Sequence, residues 1–420
     1  MKTAVLFPGQ GSQRLGMGGG VCAEFPTARR TFEEASEVLG YDLLALCTRD
    51  AQGVLNQTVH AQPALLTLSV AVFRVLEEEG LLTPSWGAGH SLGEISALVC
   101  AGALPFREAV RWVALRGRAM QDAVPLGVGA MMAVFGVEPE RVREVCARLC
   151  SPETVVGVAN YNSGNQWVLS GHRETVLRAG EQLEALGAVT QVLGVSIPSH
   201  SVLMRPAADI LAEALKAIPV RAPRWPVVSN VTARPYTEAG EIERNLVAQV
   251  TRPVLWHDCA RYLVEQGVQC VVEVGSKSVL RDLFRMEFPR VLGFAVEAPE
   301  ELRALRAATS EQALAPGGEV PSGMDFLRRC LTLAVAARNQ GAEANKLEVG
   351  VKEPYRRIQW LKRTAEEEGP EPDAGQVREA AELLRRILRT KRLPEQARTE
   401  RFTRLFQETG TEALFPDFKP

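Results

Sequence analysis

The chain is 420 residues long, with 48 Lys+Arg against 50 Asp+Glu, a formal net charge of -2 and 46% hydrophobic residues. That length exceeds what one core usually organises, so two or three domains are expected. The balanced charge gives no field for nucleic acid or a membrane surface, leaving room only for a small basic patch toward an acidic partner.

Thr3 to Phe7 reads as a buried strand stopped by Pro8-Gly9. This apolar run is too short for a signal-peptide core, and no stretch reads as the ~20 apolar residues of a membrane span. The eight cysteines form no CxxC pair and no metal spacing with the five histidines, which points to reduced, buried thiols, a cytoplasmic protein and no bound metal. The glycine-rich loop Gly9-Gln10-Gly11-Ser12-Gln13 lacks the spacing of a P-loop or dinucleotide fingerprint. Helical patterns then alternate with short apolar segments up to about residue 124, predicting an α/β layout with a mostly parallel sheet.

The sharpest signal is Gly89-His90-Ser91-Leu92-Gly93, a G-x-S-x-G elbow between a short apolar segment and a helical run from Glu94 to Leu104. Such a turn pushes the serine hydroxyl out of the backbone, and its glycines keep side chains from colliding. Ser91 also stands at a helix N-terminus, where free N–H groups favour developing negative charge. An oxyanion needs two donors: elbow geometry assigns one to the N–H of Leu92, and the loop at Gln10 can supply the other. Arg111, Arg116 and Arg118 follow on one helical run. A guanidinium grips a carboxylate with two parallel bonds, but spacing does not choose among these three.

From 125 to 197 the rhythm changes. Ala130 to Val137, Thr154 to Tyr161, Gln166 to Ser170 and Val189 to Val195 read as strands, with a turn at Asn162-Ser163-Gly164-Asn165. Glu138 to Cys150 and His172 to Leu186 read as helices. The order β-α-β-β-α-β is that of a ferredoxin-like unit inserted into the larger domain. Where the chain returns from it stands Ile197-Pro198-Ser199-His200-Ser201. A serine needs a base to become a nucleophile. His60 precedes Gln62-Pro63, His90 adjoins Ser91 where side chains diverge, His172 begins a helix and His257 lies inside one. His200, on the expected cleft wall, is the candidate base.

Beyond the insert, Trp225 to Asn230 and Cys270 to Val274 read as strands with a helix, Pro253 to Gln266, between them. The expected division is a large domain over 1–124 and 198–307, a small domain over 125–197, an Ala-, Gly- and Pro-rich linker over 308–323 and a helical extension over 324–420. In that extension Val377, Ala380, Ala381, Leu384, Ile387 and Leu388 share one helical face.

Phe7-Pro8-Gly9-Gln10-Gly11-Ser12-Gln13, Gln62-Pro63-Ala64, Gly89-His90-Ser91-Leu92-Gly93-Glu94, Leu115-Arg116-Gly117, Pro198-Ser199-His200 and Glu273-Val274-Gly275 occur in that order. Over about residues 1 to 300 this set resembles the malonyl-CoA:acyl carrier protein transacylase family. The resemblance implies an α/β-hydrolase-like large domain with a ferredoxin-like insert. It implies transfer of malonyl from malonyl-CoA to the phosphopantetheine thiol of an acyl carrier protein, in fatty acid or polyketide biosynthesis, with no bound cofactor. In that scheme Ser91 is acylated and His200 is base, then acid. Gln10 and Leu92 bind the oxyanion, and Arg116 takes the malonate carboxylate beside Gln62. Gln249 and His90 support from behind, and a backbone carbonyl from the loop after Ser229-Asn230 orients the imidazole. An editing hydrolase of acyl carrier proteins and a non-catalytic docking subunit are the rival readings.

Ile95, Ser163-Gly164-Asn165-Gln166 and Gly275-Ser276-Lys277-Ser278 depart from the family pattern, at the acyl-pocket rim or the carrier-docking face. The extension is similar to tails on free-standing acyltransferases that serve polyketide synthase modules. It reads either as an appendage packed on the large domain or as a docking surface, with Arg385, Arg386 and Arg389 facing an acidic carrier protein.

Overall fold

The computed structural model describes residues 1–194, 197–309, 323–337, 339, 344–368, 371–416 and 418–420. Residues 310–322 of the expected linker, and the end of the strand expected to reach Val195, lie outside the described residues. The strands are β1 (Thr3–Phe7), β2 (Trp86–Gly89), β3 (Gly129–Phe135), β4 (Val156–Ser163), β5 (Gln166–His172), β6 (Val189–Val192), β7 (Val227–Val228), β8 (Cys270–Val274) and β9 (Leu292–Val296).

Five of them form a parallel sheet in the order β7-β2-β1-β8-β9. Its central strands β1 and β8 are buried and apolar apart from Thr3 and Glu273, as a sheet covered on both faces requires. β1 and β8 take the bounds expected of them. β7 is shorter than the expected Trp225 to Asn230, because Pro226 has no N–H for a ladder and the N–H of Asn230 goes to Glu94. β9 is an edge strand that the sequence pattern did not single out. Since all five strands run one way, the loops after β1 (Gln10), β2 (Ser91), β7 (Asn230) and β8 (Gly275) gather at one edge.

The other four strands form an antiparallel sheet in the order β4-β5-β3-β6. The β4–β5 hairpin turns at Gly164-Asn165, where Ser163 pairs with Gln166. Helices Pro139–Leu149 and Arg173–Ala185 cover the face carrying Ala130, Met132 and Val134. The opposite face, with Ala133, Phe135 and Val189, shares a core with Phe326, Cys330, Leu384 and Ile387 of the C-terminal helices. Among the described residues the apolar core of the extension therefore packs on this small sheet, where one expectation had it on the large domain. β3 is apolar at every position, so both of its faces demand cover. Val254 ties the two sheets together, donating its N–H to Ala159 O over 2.8 Å and accepting from Tyr161 N–H over 2.9 Å.

Helix Thr58–Glu78 corrects one reading of the sequence. It is long and apolar enough to cross a membrane, but 83% of that window is buried inside the fold. Among the cysteines only Cys150 is exposed.

Candidate active site

The elbow exists because two stretches of backbone press together. A Cβ on Gly93 would lie 1.9 Å from Phe7 O, and one on Gly9 would lie 2.5 Å from His90 O. His90 N–H donates to Phe7 O over 3.0 Å. Ser91 is forced to φ 52° and ψ -105°, a conformation L-residues rarely adopt. Its N–H donates to Asn230 Oδ1 over 2.7 Å, while Asn230 Nδ2 donates to Gly89 O over 2.7 Å, so one amide clamps both sides of the turn. Helix Leu92–Cys100 begins at the next residue, and the first amides of a helix have no intrahelical acceptor.

His200 also has positive φ, 59°, and is buried. Its Nε2 lies 2.8 Å from Ser91 Oγ and its Nδ1 lies 2.7 Å from Gln249 O. A carbonyl only accepts, so Nδ1 carries the proton and Nε2 is free to accept from the serine hydroxyl. This corrects the expected source of the orienting carbonyl. It belongs to Gln249 and not to the loop after Asn230. The physical reason is that Gln249 is the last residue of helix Ala239–Gln249, whose final carbonyls lack intrahelical partners and sit at the negative end of the dipole. Burial, with the positive charge of Arg116 second, lowers the basicity of His200 to about 3.

Arg116 lies on helix Phe106–Asp122, 1% exposed. Its Nη1 donates to Gln62 Oε1 over 2.7 Å, and its Nη2 to Gln249 Oε1 over 3.0 Å and to Ser91 Oγ over 3.3 Å. The next residue explains how a long side chain is drawn inward. A Cβ on Gly117 would lie 2.8 Å from Thr58 O, so this helix crosses tightly against the helix that carries Gln62. The guanidinium is thus held by two neutral amide oxygens, and among the described residues no carboxylate is hydrogen-bonded to it. Burial lowers its pKa to about 10, with the charge of Glu94 acting the other way. Arg111 instead pairs with Glu108 at the surface.

Residues 5–297 match the family model described as acyl transferase domain. The malonyl CoA-acyl carrier protein transacylase of Escherichia coli K12 is 44% identical over 302 residues, 72% of this chain and 97% of the relative. A Bacillus subtilis protein of the same name is 36% identical over 391 residues, 93% of this chain and 97% of the relative. A malonyl-transacylase solved in complex with a type II PKS acyl-carrier protein superposes with TM-score 0.71 at 43% identity, covering 73% of this chain and 99% of that one. The chain belongs to the malonyl-CoA:acyl carrier protein transacylase family. It is an acyltransferase.

Other features of this family member follow from its own contacts. Gln10 sits on the loop pressed against the elbow, its Nε2 donating to Thr58 Oγ1 over 2.9 Å. Lys277 Nζ donates to Gly11 O over 3.0 Å and braces that loop, so this departure from the family pattern has a local job. The half-buried ring of His90 turns away from Ser91, its Nε2 2.9 Å from Asn162 Oδ1 on the small sheet. The remaining histidines lie elsewhere. His60 meets Tyr41, His172 accepts from Val155 N–H, and His257 faces Glu287. Ile95 is fully buried in the core. Among the described residues, no group of three or more His, Cys, Asp or Glu is placed to hold a metal ion.

Sequence reasoning missed Glu94, Asn230 and Tyr236. Glu94 is fully buried and accepts from the Tyr236 hydroxyl, Asn230 N–H and Gln249 Nε2. An acidic residue in a first helical turn reads as a solvated dipole partner. Only its place in Leu92-Gly93-Glu94, inside a tightly packed elbow, hinted otherwise.

Proposed function

We propose that this chain moves malonyl from malonyl-CoA to the phosphopantetheine thiol of an acyl carrier protein by way of an ester on Ser91. The observation that carries this is a single oxygen, Ser91 Oγ, 2.8 Å from the imidazole of His200 and 3.3 Å from the guanidinium of Arg116. The hydroxyl proton passes to His200 Nε2 as Oγ bonds to the thioester carbon. The oxyanion lies between the amides of Leu92 and Gln10. The carbon–sulfur bond then breaks, and the coenzyme A sulfur leaves with that proton. The carrier thiol reverses these steps, giving its proton to His200 and returning the hydroxyl to Ser91.

The carboxylate at the far end of malonyl replaces the neutral partners of Arg116. This does two things at once. It pairs a buried cation, and it offsets the charge that, after burial, lowers the basicity of His200. An acetyl group does neither, so the site favours malonyl. Gln62 and Gln249 hold the guanidinium ready for this exchange.

The strand–turn–helix at Ser91 in a parallel sheet supports an α/β-hydrolase-like description of residues 1–124 and 198–307. The strand order of the small sheet supports a ferredoxin-like domain over 125–197, with the helices of 324–420 as a third unit. The name of the Bacillus subtilis relative, which matches 93% of this chain, supports the same activity for the whole length.

The test is incubation with malonyl-CoA labelled in the acyl group. A stable labelled protein, discharged by holo-acyl carrier protein and absent in Ser91→Ala, is expected. Rapid loss of label to water would instead mark an editing hydrolase, and no labelling a docking subunit.

A further inference from the structure

We propose that Glu94 is a positioning residue for both Arg116 and His200, acting through Gln249. The argument is one of donors and acceptors. Gln249 Nε2 lies among three oxygens: Glu94 Oε2 at 2.5 Å, Ser91 O at 3.1 Å and Asn230 Oδ1 at 3.3 Å. Only the nitrogen end of an amide can sit there, so the oxygen end must face outward, where it accepts from Arg116 Nη2 over 3.0 Å. A reversed amide would press oxygen against three oxygens and point N–H groups at a guanidinium. The main-chain carbonyl of the same residue holds His200 Nδ1 over 2.7 Å. One side chain therefore anchors the residue that grips both the acid-binding arginine and the base.

Glu94 is itself fixed on every side. It accepts from the Tyr236 hydroxyl and from Asn230 N–H at 3.2 Å, and is fully buried. Its partners are Asn230, Tyr236 and Gln249 and not Ser91 Oγ, so its action is indirect. Burial raises its carboxyl to about 7, yet protonation can still leave Oε2 an acceptor for Gln249. Its charge also favours the protonated guanidinium of Arg116 while no malonyl carboxylate is present.

This proposal rests on the reading of Arg116 as the malonate clamp, and the experiment separates the two. Single-turnover acylation of the full chain by malonyl-CoA and by acetyl-CoA is measured for Glu94→Ala, Glu94→Gln, Gln249→Met and Arg116→Ala. Glu94→Ala is expected to slow malonyl loading by about a hundredfold, as loss of alignment does, and to bring the malonyl-to-acetyl ratio down toward that of Arg116→Ala. Glu94→Gln is expected to recover most of the lost rate and the ratio. Its amide oxygen can take the place of Oε2, and its NH2 can donate to the Tyr236 hydroxyl. Equal losses on both substrates in Glu94→Ala, or a ratio in Glu94→Gln as low as in Arg116→Ala, overturn the proposal while the clamp stands. Should Glu94→Ala not fold, Gln249→Met carries the same expectation, and a wild-type ratio there overturns it. If Arg116→Ala leaves the ratio unchanged, the clamp reading falls. Glu94 is then judged by whether malonyl loading is lost in Glu94→Ala and regained in Glu94→Gln.

Discussion

His200 carries the clearest consequence at the scale of single residues. Its basicity is lowered to about 3, first by burial and then by Arg116, so it is neutral over the whole range where an exposed imidazole would titrate. The acid limb of malonyl loading is therefore expected to fall below pH 6. A midpoint near that of a free histidine, in a pH series of single-turnover acylation, would contradict the assigned environment. For stability the sign follows from linkage. A histidine with a depressed folded pKa binds fewer protons folded than unfolded, so its contribution falls as pH drops from 6.5 toward 3. Glu273 acts in the opposite sense. Burial raises its carboxyl to about 8, so the folded state holds the proton longer and stability is lost as pH rises from 4.5 to 8. Glu273→Gln is expected to narrow that loss, raising Tm relative to wild type by several degrees at pH 8.5 and little at pH 4.5. Equal shifts at both pH values would show that Glu273 stays ionised. Arg116→Ala is expected to lower malonyl loading on the order of a hundredfold, as truncating a buried charge partner does, and acetyl loading far less.

The elements that shape the site are set by close backbone approach. The elbow requires Gly93 against the Phe7 carbonyl, and the crossing of the two helices that carry Arg116 and Gln62 requires Gly117 against the Thr58 carbonyl. Gly93→Ala puts a methyl where a carbonyl oxygen already lies. It is expected to destabilise by about 3 kcal/mol or more, the upper end of overpacking costs, in a denaturant titration. Gly117→Ala meets a gap of 2.8 Å, so a smaller loss is expected, together with slower malonyl loading as the helices part. A Gly117→Ala variant that lost stability but kept its loading rate would uncouple the crossing from the position of Arg116. The Gln249 carbonyl shows the same logic without glycine, because a helix end supplies an acceptor that no other part of the helix could offer.

At the scale of the molecule, the C-terminal helices complete a core that the small sheet leaves open. Phe135, Ala133 and Val189 share that core with the buried face of helix Ala374–Thr390, and Lys352 pairs with Glu184 across the boundary. Lys391 is fully buried and caps helix Gly323–Ala336 through the carbonyls of Ala334 and Ala337, at 3.0 and 2.7 Å. Removing residues 310–420 is therefore expected to uncover an apolar sheet face and cause precipitation. A truncated chain that stays monomeric and loads malonyl normally would mean the helices serve another purpose. Arg385 and Arg389 donate to main-chain oxygens of Lys419 and Pro420, so these two arginines already have internal work.

The sequence alone carried the local features. The apolar run of β1, the elbow at Ser91, the hairpin at Gly164-Asn165 and the buried stripe of Val377 to Leu388 each depend on residues near one another in the chain, where periodicity and turn chemistry leave a readable trace. The ordered motifs pointed to Ser91, His200 and Arg116. Tertiary structure alone decided which carbonyl orients His200, why Glu94 is buried and which sheet the last helices cover. Those outcomes join groups as distant as Glu94 and Tyr236, or Phe135 and Leu384. Burial and hydrogen bonding between them are properties of the packed chain, and no local pattern encodes the partner.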